Sequence, residues 1–231
     1  MLKNHYPSIH DLQTTSGHWP NCQAGLHCPP KGDKRDLTKW IVASAVDIAE
    51  SRETLAIAQM NSRATSDPSA KVTAYASFYV LVSDGAKYDV KDNILAELGD
   101  PIKIGDKWYE YSTPGNILFG FYGKAAGFDE YELRRGAGFA QKLDYSRDEK
   151  SGIGPCEAPY YCDTEVDYYA VGFGMFLYDE YYKPNGKLTQ ADLLDAFNKY
   201  KDADKMAVKP SPRNFIPRYT EYKKSQFYNM E

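Results

Sequence analysis

Residues 163–182 read DTEVDYYAVGFGMFLYDEYY, and the fold turns on reading this apolar, aromatic run as one long helix. Val166, Ala170, Phe173 and Leu177 recur at helical spacing and fall on one face. Asp163 stands where an N-cap belongs, and Asp167 suits the positive end of the helix that follows. The same two aspartates are four residues apart, so both carboxylates can point the same way. Gly172 and Gly174 each cost about 1 kcal/mol relative to alanine inside a helix. Two reasons can justify them: close packing against another helix, or close approach of the backbone to a ligand.

Downstream, KPNGKLTQADLLDAF has the outline of the back half of a calcium-binding loop. Placing Gly186 at the sixth position puts Tyr181 first and Lys183 third, and neither offers a carboxylate. The run is a turn followed by a helix over 189–200, with Thr189 and Asp192 in a capping pattern. Upstream, 128–143 predicts a helix with acidic residues in its first turn, interrupted by Gly136 and Gly138. Residues 101–112 alternate around Gly105-Asp106 as a β-hairpin does. Residues 91–99 read as a short helix capped by Asp92, with Gly99 just past its end, after a turn at Asp84-Gly85. The run 69–82 reads first as a buried helix and second as a strand. Residues 36–64 make one long or two short helices, started by Asp36. The glycines and prolines of 1–35 predict an irregular arm. The expected fold is α+β: a mainly α-helical single domain with a small β-hairpin, residues 36–231, behind the arm 1–35.

The chain has 231 residues, a net charge of −4 and a pI near 5.6, so no global field draws it to nucleic acid. Twenty tyrosines and three tryptophans suit both a core and sugar stacking. There are four cysteines in two short pairs, Cys22 with Cys28 and Cys156 with Cys162, each with five residues between its members. Short local pairs predict two disulfide loops in an oxidising compartment, each worth about 2–3 kcal/mol. Zinc is disfavoured by the spacing, with only His18 and His27 nearby. No apolar run reaches the length of a membrane span, so no membrane partner is expected. The N-terminus lacks the apolar core of a signal peptide. Either a leader has been removed, or the chain is a domain cut from a larger secreted protein.

The chemistry-bearing residues lie in separate stretches: YDVKDNI (88–94), STPGNILFGFYGKAAGF (112–128), RRGAGFAQKLD (134–144) and CDTEVDYYAVGFGMFLY (162–178). In this order they resemble the polymorphic toxin type 44 family, or bacterial toxin 44, across roughly 79–178, with a weaker helical lead-in from Leu37. The middle motif is the most specific. Family members usually carry Trp-Asp-His-Lys where this chain has Tyr88-Asp89-Val90-Lys91, and Asp-Gln where it has Asp167-Tyr168. The resemblance implies a secreted antibacterial effector, with an immunity protein as partner. The family is usually described as a predicted RNase; the alternative is cleavage of the peptidoglycan glycan strand, as a muramidase performs.

The residues themselves bear on that choice. A metal-free RNase usually draws its base from histidine, and this chain has no histidine beyond residue 27. Glycoside hydrolysis needs two carboxylates, one protonated and one ionised. Asp89, Asp163 and Asp167 are the candidate catalysts. Lys91, Asn116, Tyr122, Lys124, Gln141 and Glu165 are the candidate substrate-binding residues, with Tyr88 and Tyr169 as further lining of a sugar groove. The bland alternatives are capping for Asp163 and Asp167, solvation for Lys91 and Lys124, and a backbone bridge for Gln141. Asp106 and Glu110 are expected in solvent. The expected cleft lies between the hairpin side and the 163–182 helix. No cofactor or metal is invoked for the preferred reading; a divalent metal enters only with the RNase alternative, as does nucleic acid. A third class is a wall-binding module without catalysis.

Overall fold

The structure is a computed structural model that describes residues 35–147 and 152–209. Two expectations fall outside those residues: the irregular arm before Arg35, and the disulfide between Cys22 and Cys28. Of the two expected disulfides, the described residues hold the one between Cys156 and Cys162; the pairing of Cys22 with Cys28 stays an expectation from spacing. In chain order the elements are α1 (Thr38–Ala49), α2 (Arg52–Arg63), α3 (Pro68–Val82), α4 (Lys91–Leu98), β1 (Ile102–Ile104), β2 (Lys107–Tyr109), α5 (Thr113–Ala125), α6 (Glu130–Arg147), α7 (Glu165–Leu177), α8 (Lys183–Asn185), α9 (Gln190–Lys199) and β3 (Ala207–Val208). The domain is mainly helical, with a small antiparallel sheet, as expected.

The central pair is α5 and α7, and its glycines explain it. A Cβ on Gly120 would strike the carbonyl of Val171, and one on Gly174 would strike the carbonyl of Ile117. Removing those side chains lets the two backbones touch, so the packing reason for Gly174 is the right one. Gly172 makes room for the Arg134 and Tyr200 side chains, and Gly138 for the Tyr161 carbonyl. Around this pair Ile117, Leu118, Phe121, Ala170, Val171, Phe173 and Leu177 are buried with Trp40, Ile41 and Ile48 of α1.

Several helix boundaries differ from the sequence reading. Residues 36–64 form two helices, because Ser51 interrupts the run and its hydroxyl accepts the Thr54 N–H at 3.2 Å. The run 69–82 is a helix but not a buried one. Only Ala74 and Phe78 of α3 are buried, while Val72, Tyr75, Tyr79 and Val80 are exposed. Apolar residues lie all around that helix, which is why sequence alone suggested full burial. The long helix stops as α-helix at Leu177, continues through a π-helical turn over Tyr178–Tyr182, and ends at Gly186 in the left-handed conformation. Residues 189–200 form the expected helix with a complete Thr189/Asp192 capping box.

The hairpin pairs Ile102 with Tyr109 and Ile104 with Lys107 around Gly105, whose φ is 62°. Residues 207–208 add a third strand against β2, too short to announce itself in sequence. Asp106 is in solvent, as expected. Glu110 is not: it is half-buried, and burial, with the nearby Asp167 and Asp100 charges, raises its carboxyl above the usual range. Among the described residues no helix is long and apolar enough to cross a membrane.

Candidate active site

A cavity of about 240 Å³ opens between α3, α5, α6 and the segment 88–91. This differs from the expected position: the hairpin takes no part, and the exposed helix α3 forms a wall instead. The cavity brings together Asp89, Lys91, Asn116, Tyr122, Gln141 and Asp163, six of the nine residues singled out from sequence.

Asp89 and Asp92 exchange the roles expected of them in one respect. Asp92 does not cap α4; Val90 holds the N-cap position without a side-chain bond, and Asp92 stands within the first turn. Asp89 makes the local backbone bonds instead: Oδ2 accepts the Gly85 N–H at 3.0 Å and Oδ1 the Lys91 N–H at 3.4 Å. Those bonds hold the carboxylate at the cavity wall. Lys91 then projects inward because Gly115 has no side chain: a Cβ there would lie 2.7 Å from Lys91 Cγ. Burial by itself would lower the Lys91 ammonium, but the Asp89, Asp167 and Asp144 charges and Tyr111 outweigh it and raise the pKa. Lys91 is therefore a firm cation shared by several acids.

Asp163 is the most perturbed group of the cavity. It is 4% exposed. Burial first, then the Asp167 charge, pushes its carboxyl from 3.8 up to about 8; the Thr164 N–H, Lys91 and Arg134 oppose this only in part. It does not cap α7. Thr164 does, accepting the Asp167 N–H at 3.3 Å, while Asp163 Oδ1 accepts the Thr164 N–H at 3.1 Å. Asp167 does not line the cavity. It sits behind Asn116, accepting from Asn116 Nδ2 and, at 3.3 Å, from Ser112 Oγ, so it positions Asn116 and loads Asp163 with a neighbouring charge.

The remaining candidates are placed as follows. Gln141 lines the cavity and also donates to the Gly152 carbonyl at 2.9 Å, so it does bridge to backbone. Tyr122 is fully buried and forms the cavity floor, edge-on to Tyr88 at 5.0 Å; it cannot present a face to a sugar. Lys124 pairs with Asp179 at 3.0 Å, and Glu165 is exposed on the first turn of α7; neither lines the cavity. Tyr169 belongs to a separate groove, where its hydroxyl accepts from Lys205 Nζ at 2.6 Å.

Sequence reasoning passed over Asp144, Phe119, Tyr79 and Phe139, which also line the cavity. The signal for Asp144 was available: Gly136, Ala140 and Asp144 recur every four residues along α6 and share its cavity face. Among the described residues no three histidine, cysteine, aspartate or glutamate side chains converge as metal ligands would.

The cavity thus sets a buried carboxyl with a raised pKa beside a second acid and an inward-pointing cation. Residues 77–180, a little under half of the chain, match the family model described as bacterial toxin 44, which supports the resemblance read from the motifs. The match spans every residue named above as lining the cavity. The match supports a toxin in class. No curated protein and no solved structure shows significant similarity to the chain.

Proposed function

We propose that the domain, residues 36–231, hydrolyses the glycan strand of bacterial peptidoglycan. The observation that carries this reading is Asp163, a buried carboxyl pushed up to about 8 by burial and the Asp167 charge, in the same cavity as a second acid, Asp89. Glycoside hydrolysis asks for that asymmetry between two acids. Asp163 donates its proton to the leaving glycosidic oxygen. Asp89, fixed by the backbone N–H groups of Gly85 and Lys91, with the Lys91 charge acting on it, activates water or stabilises the oxocarbenium ion. Asn116, oriented by Asp167, offers the substrate a hydrogen bond, and Asp167 acts through Asn116 and Asp163 as a positioning residue. The Cys156–Cys162 disulfide supports an oxidising setting, where cell wall is met and RNA is not.

The test is clearance of purified peptidoglycan by the full chain, beside total RNA incubated with and without a chelator. Released reducing ends with intact RNA are expected. RNA cleavage with intact walls would overturn the reading in favour of the RNase alternative. Wall binding without release would mark a non-catalytic module.

A further inference from the structure

We infer that Gly136 and Phe139 of α6, with Tyr79 of α3, form a subsite that seats one pyranose ring of the strand beside Asp163. This inference rests on the glycan-hydrolase reading and adds the surface that holds the polymer. The first observation is Gly136. Its helical counterparts in the fold, Gly120, Gly138, Gly172 and Gly174, each make way for a packed backbone or side chain. Gly136 does not: a Cβ there would meet only Phe119 Cζ, at 4.0 Å, an ordinary contact. A glycine inside a helix is unfavourable relative to alanine, and packing gives this one no reason. It is exposed and lines the cavity, so what the missing side chain leaves open is the approach to the helix backbone.

The second observation is the rim. Phe139 is 58% and Tyr79 47% exposed, and both line the same cavity as Asp163. Exposed rings at the mouth of an acid-bearing cavity match a sugar, whose C–H face is apolar and whose edge is polar. The third is size. At about 240 Å³ the cavity is small against the roughly 300–1,000 Å³ of most ligand sites. A polymer can place only part of itself inside, and the adjoining units must lie along the rim, which is aromatic.

The test combines two readouts on the full chain: thermal melting, and the initial rate of reducing-end release against sonicated peptidoglycan concentration. Gly136→Ala is expected to melt roughly 2–4 °C higher, since alanine favours helix, while KM rises and kcat holds. Phe139→Ala is expected to raise KM roughly three- to tenfold with an unchanged melting point. A Gly136→Ala protein that melts lower would make the glycine structural and overturn the subsite. So would wild-type KM values in both variants. Absence of any release by the wild type removes the hydrolase reading and the subsite together; release with unmoved KM removes the subsite alone.

Discussion

Asp163→Asn should separate the cost of the buried carboxyl from its use. In the unfolded chain this group takes its ordinary value of 3.8; in the fold it stands at about 8. Below about pH 4 both states are protonated and the group favours neither. Between about pH 4 and 8 the unfolded chain ionises while the fold keeps its proton. Over that window the folded state loses about 1.4 kcal/mol of stability per pH unit, up to a limit of about 5–6 kcal/mol by pH 8. Asparagine cannot ionise, and its Oδ1 still accepts the Thr164 N–H now made at 3.1 Å. The variant should therefore match the wild type near pH 4 and exceed it by several kcal/mol at pH 8. Urea unfolding of both proteins at pH 4, 6 and 8 measures the difference, in which every other titrating group cancels. Activity should fall by about 10²–10⁴, the usual loss with a general acid. A stability difference that stays flat from pH 4 to 8 would refute the neutral buried carboxyl, and with it the proposed proton donor.

Three further outcomes follow from the same geometry. Lys91→Met keeps the stem packed on Gly115 but removes the cation that lowers the Asp163 carboxyl; the alkaline limb of the pH–activity profile should move upward, and an unmoved or lowered limb counts against the charge network. Gly174→Ala places a methyl against the Ile117 carbonyl and should destabilise by about 1–3 kcal/mol or more, read as a drop in urea midpoint; a neutral result would mean that α5 and α7 do not pack as described. Replacing Cys156 and Cys162 together by serine opens the disulfide loop and should cost about 2–3 kcal/mol, with wild-type stability as the contrary result in a chemical melt.

The helices were legible where pattern and caps agreed. Thr189 with Asp192 marks α9 in sequence as plainly as in space, and Gly105-Asp106 marks the hairpin. Burial was less legible. The apolar run of α3 suggested a core helix, yet tertiary packing leaves Tyr75, Tyr79 and Val80 outside. The cap expected of Asp92 falls to Val90, and the capping alternative for Asp163 gives way to Thr164. Aspartate is a good cap in isolation, but here Asp163 is buried facing the cavity and Asp92 falls within the first turn of α4, past the N-cap position. Lys124 and Glu165 share segments with true cavity residues and still point elsewhere, because helix rotation is set by the packed face.

From sequence alone came the mainly helical class, the disulfide pair at 156 and 162, the absence of histidine past residue 27, and the stretches that carry the acids. Those follow from periodicity, composition and residue type, which are local. Which acids share a cavity, which of them is neutral, and which wall holds a ligand were decided only in three dimensions. Solvation and the field of neighbouring charges depend on what the packed helices bring alongside each carboxyl. For Asp163 that is burial and Asp167, with Lys91 in opposition, an environment assembled from segments more than seventy residues apart.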